Sequence, residues 1–507
     1  MEETEILLHS YRDEVFVPQG ATETSSLLDP STSYAGTADT GTSLKNSIQD
    51  WRDGLAAFED VPHTWSHEIK TLASYAAPII LTSSLQYAID VSSIIAAGRI
   101  GKVELGAVSL ANVSSNITCW ALFQGLAASL DTLCAQAYGS GEKHLIGLYC
   151  QRMTLFLLCV SIPISTLWFF SEPIIIKLVT DPATARLAAL YLKILTAAIP
   201  GSVVFEAGRR FLQAQGLFRA TTYIVLIAAP VHITIITLLV THLGFLGAPL
   251  AVVITRTLLP ILLILYVKSF AGSQCWGGFS SRAFANWGIM IRLAIPDMIM
   301  VEAEWFAFEI MIVFASRFGT DYLAAQSVLT VVSAIGFNLP FPLSIAASTR
   351  VGNLVGAVRE SGAKRAAKVA VAASLTLASL NALILLTLSS HIPYAFTSDN
   401  AVAALATEIL PLVALNAILE GLSLAAHGLL RGIGRQTIGG PANIIAHYVV
   451  SIPVGVALAF GKDWKLKGLY TGIAGGLAVV SIIEYGYIHR TNWRDVVREA
   501  EERNAAG

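Results

Sequence analysis

Twelve apolar runs, each near the roughly 20 residues that a helix needs to cross a bilayer, account for most of this chain between residues 72 and 488. They fall at 72–95, 105–130, 148–170, 185–208, 220–241, 246–267, 289–314, 321–346, 366–388, 404–428, 438–460 and 468–488. Backbone groups inside a bilayer must hydrogen-bond within their own segment, so runs of this length fold as helices. The expected fold is therefore all-α and membrane-integral, with twelve transmembrane helices. Only 13% of the 507 residues are charged, about half of the usual share, so most of the surface does not face water. The net charge of −2 offers no basic footprint for nucleic acid.

The halves of the chain echo each other. Leu-Ala-Ser-Tyr-Ala-Ala-Pro78 opens the first run and Leu-Ala-Ile-Pro296 the seventh. Gly216 closes the fourth run and Gly434 the tenth, while Gly139 and Gly356 end long second helices. The three separations, 218, 218 and 217 residues, agree to within one. Six spans is an even number, so both halves enter the membrane in the same direction. The result is two six-helix lobes related by a parallel pseudo-twofold repeat around a central cavity, an arrangement that places binding between the lobes. The expected lobes are residues 66–270 and 271–490. Residues 1–65 are rich in Ser, Thr, Glu and Asp and lack a short apolar core like that of a signal peptide; they form a disordered cytoplasmic tail and interfacial lead-in. Residues 491–507 form a cytoplasmic C-terminal tail, read as a short surface helix beginning near Trp493. Lys and Arg concentrate in the even connections, which places both termini in the cytoplasm; Lys462, Lys465 and Lys467 run against that bias.

Acids inside the spans are the candidate site. A carboxylate at mid-membrane costs roughly 2.5–3.5 kcal/mol on insertion scales and by default marks an ion or substrate path. The seventh run carries three, Glu302, Glu304 and Glu309. At 100° per residue Glu302 and Glu309 lie about 20° apart, whereas Glu304 lies about 140° from Glu309, so the three do not share one face of a regular helix. Glu420 sits in the tenth run with Asn416 one turn earlier on the same face. Asp90 lies late in the first run; Glu206 stands close to Arg209 and Arg210, where a local ion pair forms; Arg256 snorkels or pairs with an acid. Trp305, Phe306, Phe308, Phe337 and Phe341 surround the acids in sequence, and aromatic faces beside carboxylates suit an organic cation. The five cysteines lack metal-ligand spacing and read as buried or reduced thiols. No metal site and no cofactor is expected.

An ordered set of motifs completes the reading. Leu130-Asp-Thr-Leu-Cys-Ala-Gln-Ala-Tyr-Gly-Ser-Gly141 with Tyr149 and Gln151-Arg152, then Trp276-Gly-Gly, Leu293-Ala-Ile-Pro296, Glu304-Trp305, Ala325-Gln-Ser327, Arg350-Val-Gly-Asn353 and Leu430-Arg-Gly-Ile-Gly434, together resemble the multidrug and toxin extrusion (MATE) family, in its eukaryotic, fungal-like branch. The resemblance runs from about residue 66 to 490. It implies a proton-coupled antiporter, driven by a proton gradient and not an enzyme, that exports organic cations, other xenobiotics or metabolites by alternating access. On that resemblance Glu304 and Glu309 match the two acids of the seventh span, Glu420 the acid of the tenth, and Asn116 a polar position of the second. Val331 stands where many animal and plant relatives carry a further acid. The alternatives are a major-facilitator transporter, whose Asp-Arg-rich loop after the second span is not found, and a polytopic membrane enzyme, for which no nucleophile or metal motif stands in the spans. Partners are thus a small-molecule substrate, protons and the lipid bilayer. Glu3-Thr-Glu-Ile-Leu-Leu8 and Glu23-Thr-Ser-Ser-Leu27-Leu28 resemble acidic dileucine signals, which points to a sorting adaptor and the vacuolar membrane, with the plasma membrane as the alternative.

Overall fold

The computed structural model describes residues 64–179 and 181–505. Both dileucine patterns and the acidic stretch before Thr64 lie outside the described residues. The rest is helical, and ten continuous helical stretches are long and apolar enough to cross a membrane. One of them, Phe218–Ser269, joins two helices at Gly244–Leu246, which makes eleven. The twelfth, Gly288–Ala315, is as long but carries Arg292, Asp297, Glu302, Glu304 and Glu309. The spanning helices are α1 (Trp65–Gly98), α2 (Lys102–Gly139), α3 (Lys143–Phe169), α4 (Pro182–Ala214), α5 (Phe218–Leu243) and α6 (Gly247–Ser269). They continue as α7 (Gly288–Ala315), α8 (Thr320–Gly356), α9 (Glu360–Thr387), α10 (Asn400–Ile433), α11 (Gln436–Gly461) and α12 (Lys465–Arg490). A last helix, α13 (Trp493–Ala505), follows.

Local chemistry sets the ends. The Thr64, Asp181 and Asp399 side chains accept from the first free amides of α1, α4 and α10, as N-caps do. Gly434 ends α10 at φ +74°, left-handed backbone that favours glycine, and the Arg435 amide donates back to Leu430 O at 2.8 Å. Prolines at 78, 163, 230, 260, 296 and 411 sit inside continuous helices. Pro340 starts a new segment, so α8 breaks at residues 338–339. Wide π-turns interrupt α2 at Asn116–Trp120 and α11 at Ile445–Ser451, and another ends α11 at Ala457–Gly461; none of the three shows in a hydropathy pattern.

Helices α1 to α6 pack mainly on one another, α5 on α1 and α6, and α4 on α2, α3 and α6. Helices α7 to α12 do the same, with α10 central between α8, α9 and α12, and α11 against α7 and α12. The halves meet where Ser129–Gly139 of α2 lies on Pro340–Gly356 of α8, where Ala121–Ala127 of α2 lies on α7, and where α1 crosses the same stretch of α8. Lys102–Ser115 of α2 stays against α1 and α4, and Thr320–Phe337 of α8 against α7 and α10. The bundle is therefore joined at the end that carries α13 and parted toward the other.

Small residues make that joint. An added Cβ on Gly139 would lie 2.0 Å from Asn353 O, and one on Gly356 would lie 2.0 Å from Gln136 O. The repeat glycines thus pack reciprocally, each helix end on the backbone of the other. Polar groups reinforce the contact. The Gln136 amide donates to Gly432 O at 3.0 Å, and the Thr132 hydroxyl donates to Arg431 O. Arg350 on α8 binds Glu68 on α1 through two bonds of 2.9 and 2.7 Å. Residues 65–70 form the first turns of α1 and bury Glu68 completely. The C-terminal helix expected near Trp493 is α13, and it is docked rather than loose: Trp493, Val496, Val497 and Ala500 are buried among α8, α9 and α10, while Arg503 donates to Gln136 Oε1 at 2.9 Å across the joint.

Candidate functional site

Two stripes of polar side chains line up inside the second half. On α10, Glu420, Ser423, His427 and Arg431 follow one another by three or four residues and share a face. On α7, Asp297, Glu304 and Phe308 recur at seven and four residues. Glu304 is almost fully buried one turn before Phe308, which shares a cavity wall with Glu420. At the lower end of the stripes Arg431 Nε donates to Asp297 Oδ1 at 2.7 Å, with both side chains buried. Breaking such a pair by removing one partner costs roughly 3–5 kcal/mol, so these charges hold α7 and α10 together as one body.

Glu420 lines a small cavity of about 20 Å3 that opens in part to solvent. Its walls come from α7 (Phe308), α8 (Val332, Ser333, Gly336, Pro340), α9 (Asn381, Leu385), α10 (Val413, Asn416, Ala417) and α12 (Tyr470, Leu477). Asn416 donates to Tyr470 O at 3.2 Å and keeps its own Oδ1 buried without a partner. The lining is largely apolar with a few polar groups, which is the usual make-up of a small-molecule site. Phe337 and Phe341 stack at 5.0 Å between ring centroids, and Phe341 packs against Ile79 of the first half.

The structure thus brings Glu304, Glu420, Asn416 and Phe308 to one region. It does not bring Glu302 and Glu309 there. Glu304 is almost fully buried, whereas Glu302 and Glu309 are half-buried on another side of α7, as the angular spacing requires. Glu302 keeps both carboxylate oxygens away from water without a hydrogen-bond partner. Asn116 begins the π-turn of α2. Asp90 stands 3.9 Å from Arg256, whose guanidinium lies 4.6 Å from the Trp120 ring centroid. Glu206 is bound by Arg209 at 2.6 Å and Arg210 at 3.3 Å, and Arg210 also binds Asp131. Trp305 is half-buried. Cys119, Cys134, Cys150 and Cys275 are buried free thiols, and Cys159 is an exposed one. Among the described residues no His, Cys, Asp or Glu cluster could hold a metal ion.

Four charged residues that the sequence pattern did not single out complete the site: Asp297, His427, Arg431 and Glu484. Asp297, His427 and Glu484 stand inside apolar runs, and that alone was their available signal; Arg431 stands just past the tenth run, within the Leu430–Gly434 motif. Their pairings join different helices and leave no trace in spacing.

Comparison with known proteins agrees with this architecture. The MatE family model matches twice, over residues 78–238 and 296–457, one match in each half. Uncharacterized transporter C4B3.13 of Schizosaccharomyces pombe is 40% identical over 455 residues, which span 89% of this chain and 84% of that one. Multidrug and toxin extrusion protein 1 of Homo sapiens is 31% identical over 437 residues, 86% of this chain and 77% of that one. Among solved structures, the eukaryotic MATE transporter AtDTX14 superposes with a TM-score of 0.82 at 29% identity, covering 87% of this chain and 99% of that one.

Proposed function

This chain belongs to the MatE family of membrane transporters, and from that premise we propose that it is a proton-coupled antiporter of organic cations or related metabolites. The observation that carries the proposal is Glu420 on the wall of a largely apolar cavity with Asn416 and Phe308, and a second buried acid, Glu304, one turn before Phe308 on the same face of α7. A carboxylate facing a buried space is costly when it is ionised without a cation beside it, so the site holds either a proton or a cation. Competition for one site is the condition for exchange. Phe308 and Asn416 supply an aromatic face and a free acceptor for the cation. Glu309 and Glu302 stand half-buried on another side of α7. The two halves, residues 66–270 and 271–490, rock about the joint between α2 and α8, and each swing carries one occupant across.

The test is flux in liposomes holding the purified protein, over a panel that includes tetraethylammonium and amino-acid derivatives, with and without an imposed pH gradient. Uptake of at least one cation that requires the gradient is expected. Equal uptake in its absence for every transported compound would remove the proton from the account.

The loop bias supports cytoplasmic termini, and the paired dileucine patterns support delivery to the vacuole. A pH-sensitive fluorescent protein fused after Gly507 should then report neutral pH from the vacuolar rim. Changing Leu7, Leu8, Leu27 and Leu28 together to Ala should move the fusion to the cell surface. An acidic reading counts against the topology, and an unmoved variant against the signals.

A further inference from the structure

The chain crosses from the first half to the second through residues 270–287, on the side that carries α13. This connection is fastened along α3. Gln151 of α3 donates to Gly278 O at 2.8 Å and accepts from the Ser280 amide at 3.1 Å. Arg152 donates to Arg282 O at 3.4 Å, and Cys275 and Ala283 are buried in the core of the first half. An added Cβ on Gly147 would lie 2.7 Å from Cys275 O, and Trp287 meets Phe156 edge-on at 6.0 Å. The contacts thus climb α3 from Gly147 to Phe156, about 13 Å at 1.5 Å per residue. Along that climb α3 changes its surroundings. Residues 145–153 are buried in protein, whereas from Cys159 on the helix exposes Ile162, Leu167, Phe169 and Phe170. The connection therefore flanks the bundle in the layer just outside the lipid-facing part of α3, which is headgroup depth.

Its outer side is apolar and cationic. Phe279 is 93% exposed, Phe270 80% and Phe284 74%, and all three lie outside the spanning helices. Trp276, set against Phe211 of α4 at 6.2 Å, supports Phe279 edge-on at 5.5 Å. Exposed apolar groups of this size mark a contact surface, and aromatic rings concentrate where headgroups meet hydrocarbon. Lys268, Arg282 and Arg292 are exposed as well. No acid occurs between Glu206 and Asp297, and none of the three cations has an ion-pair partner among the described residues. We infer that this connection docks on the leaflet on the α13 side. Phe270, Phe279 and Phe284 enter the headgroup layer, and Lys268, Arg282 and Arg292 take the phosphates of anionic phospholipid. A cationic, acid-free stretch suits an anionic surface and gains nothing from a zwitterionic one. A protein partner would need this face clear of the bilayer, and its position along α3 sets it against the bilayer instead. Because the connection is fastened to α3, the docking holds the first half to the membrane at the point where the chain leaves it.

One labelled position tests this in vesicles. Cys159 is exposed and the other thiols are buried, so Cys159→Ala with Phe279→Cys takes a single environment-sensitive nitrobenzoxadiazole label. In vesicles of phosphatidylcholine and phosphatidylserine its emission should be blue-shifted. Nitroxide-bearing lipid should quench it, and aqueous iodide should not. Nitroxide carried on phosphatidylserine should quench more than nitroxide carried on phosphatidylcholine. That excess should vanish when Lys268, Arg282 and Arg292, all exposed, are changed together to Gln. The same label at Glu501→Cys, on the exposed face of α13, should read water. Water-like emission at position 279, open to iodide, would overturn the docking. Equal quenching by the two lipids with all three cations present would overturn the assignment to anionic lipid. Shielding seen in native membranes and lost in vesicles would give the face to a protein and equally overturn the inference. None of these readouts involves transport, so they hold whether or not proton exchange is found.

Discussion

Glu420→Gln should abolish pH-driven transport and leave the protein folded and in the membrane. The substitution keeps the shape of the side chain and removes its titration, so the cavity wall formed with Asn416, Phe308 and Tyr470 is retained. One pH unit corresponds to about 1.4 kcal/mol. A one-for-one, charge-neutral exchange therefore sustains about tenfold accumulation per unit in the unmodified protein. In Glu420→Gln the expected accumulation is that of protein-free vesicles. Glu304→Gln should behave alike, because Glu304 is the second buried acid, one turn before Phe308. Glu309→Gln and Glu302→Gln should retain a pH-dependent fraction, since both residues sit on another side of α7. The check is initial uptake at matched protein density. Full pH-driven uptake by Glu420→Gln and Glu304→Gln would remove both acids from the mechanism, and loss confined to Glu302→Gln or Glu309→Gln would move the site to their face of α7.

The second large effect is expected at the joint. Gly139→Val and Gly356→Val each place a side chain into backbone that lies 2.0 Å from the added Cβ. Overpacking of this kind costs about 1–3 kcal/mol, and here only the state with α2 and α8 joined incurs it. The balance between that state and the one opened at the α13 end should shift roughly 5- to 150-fold. A cysteine reports the shift: Thr132 is fully buried and hydrogen-bonded across the joint to α10. In a Thr132→Cys background without native thiols, a water-soluble maleimide applied from the α13 side should react faster when either glycine variant is present. Transport should fall with it. Gly486→Ala is the control, because nothing lies within 4 Å of its added Cβ, and it should change neither. Equal labelling in all four proteins would mean that the joint is not the part that opens.

The parts of this molecule that were legible in its sequence are those governed by composition and period. Runs of about 20 apolar residues have one solution in a bilayer, so the twelve helices could be read, and the family model repeats at the 218-residue offset seen between Pro78 and Pro296. Glu304 and Glu420 stood out because a carboxylate in such a run has a large cost. What was hidden depends on contacts between distant segments. Glu68 lies in a polar turn at the start of α1, and its partner Arg350 is 282 residues away. His427 and Glu484 are isolated charges in their own helices and acquire meaning only when α10 and α12 are set side by side. The docking of α13 was missed for a related reason. Its charges dominate its sequence, while four residues on one face carry the burial.

The most direct test of coupling runs the exchange backward. Liposomes holding the protein and a pH-sensitive dye are loaded with tetraethylammonium, or with whichever cation the flux panel shows to be carried, and diluted into cation-free buffer of the same pH. If one site is shared by proton and cation, cation leaving the vesicles drives protons in, and the interior should acidify in the unmodified protein but not in Glu420→Gln. Efflux of the cation at full rate with no change of internal pH in the unmodified protein would contradict proton-coupled exchange.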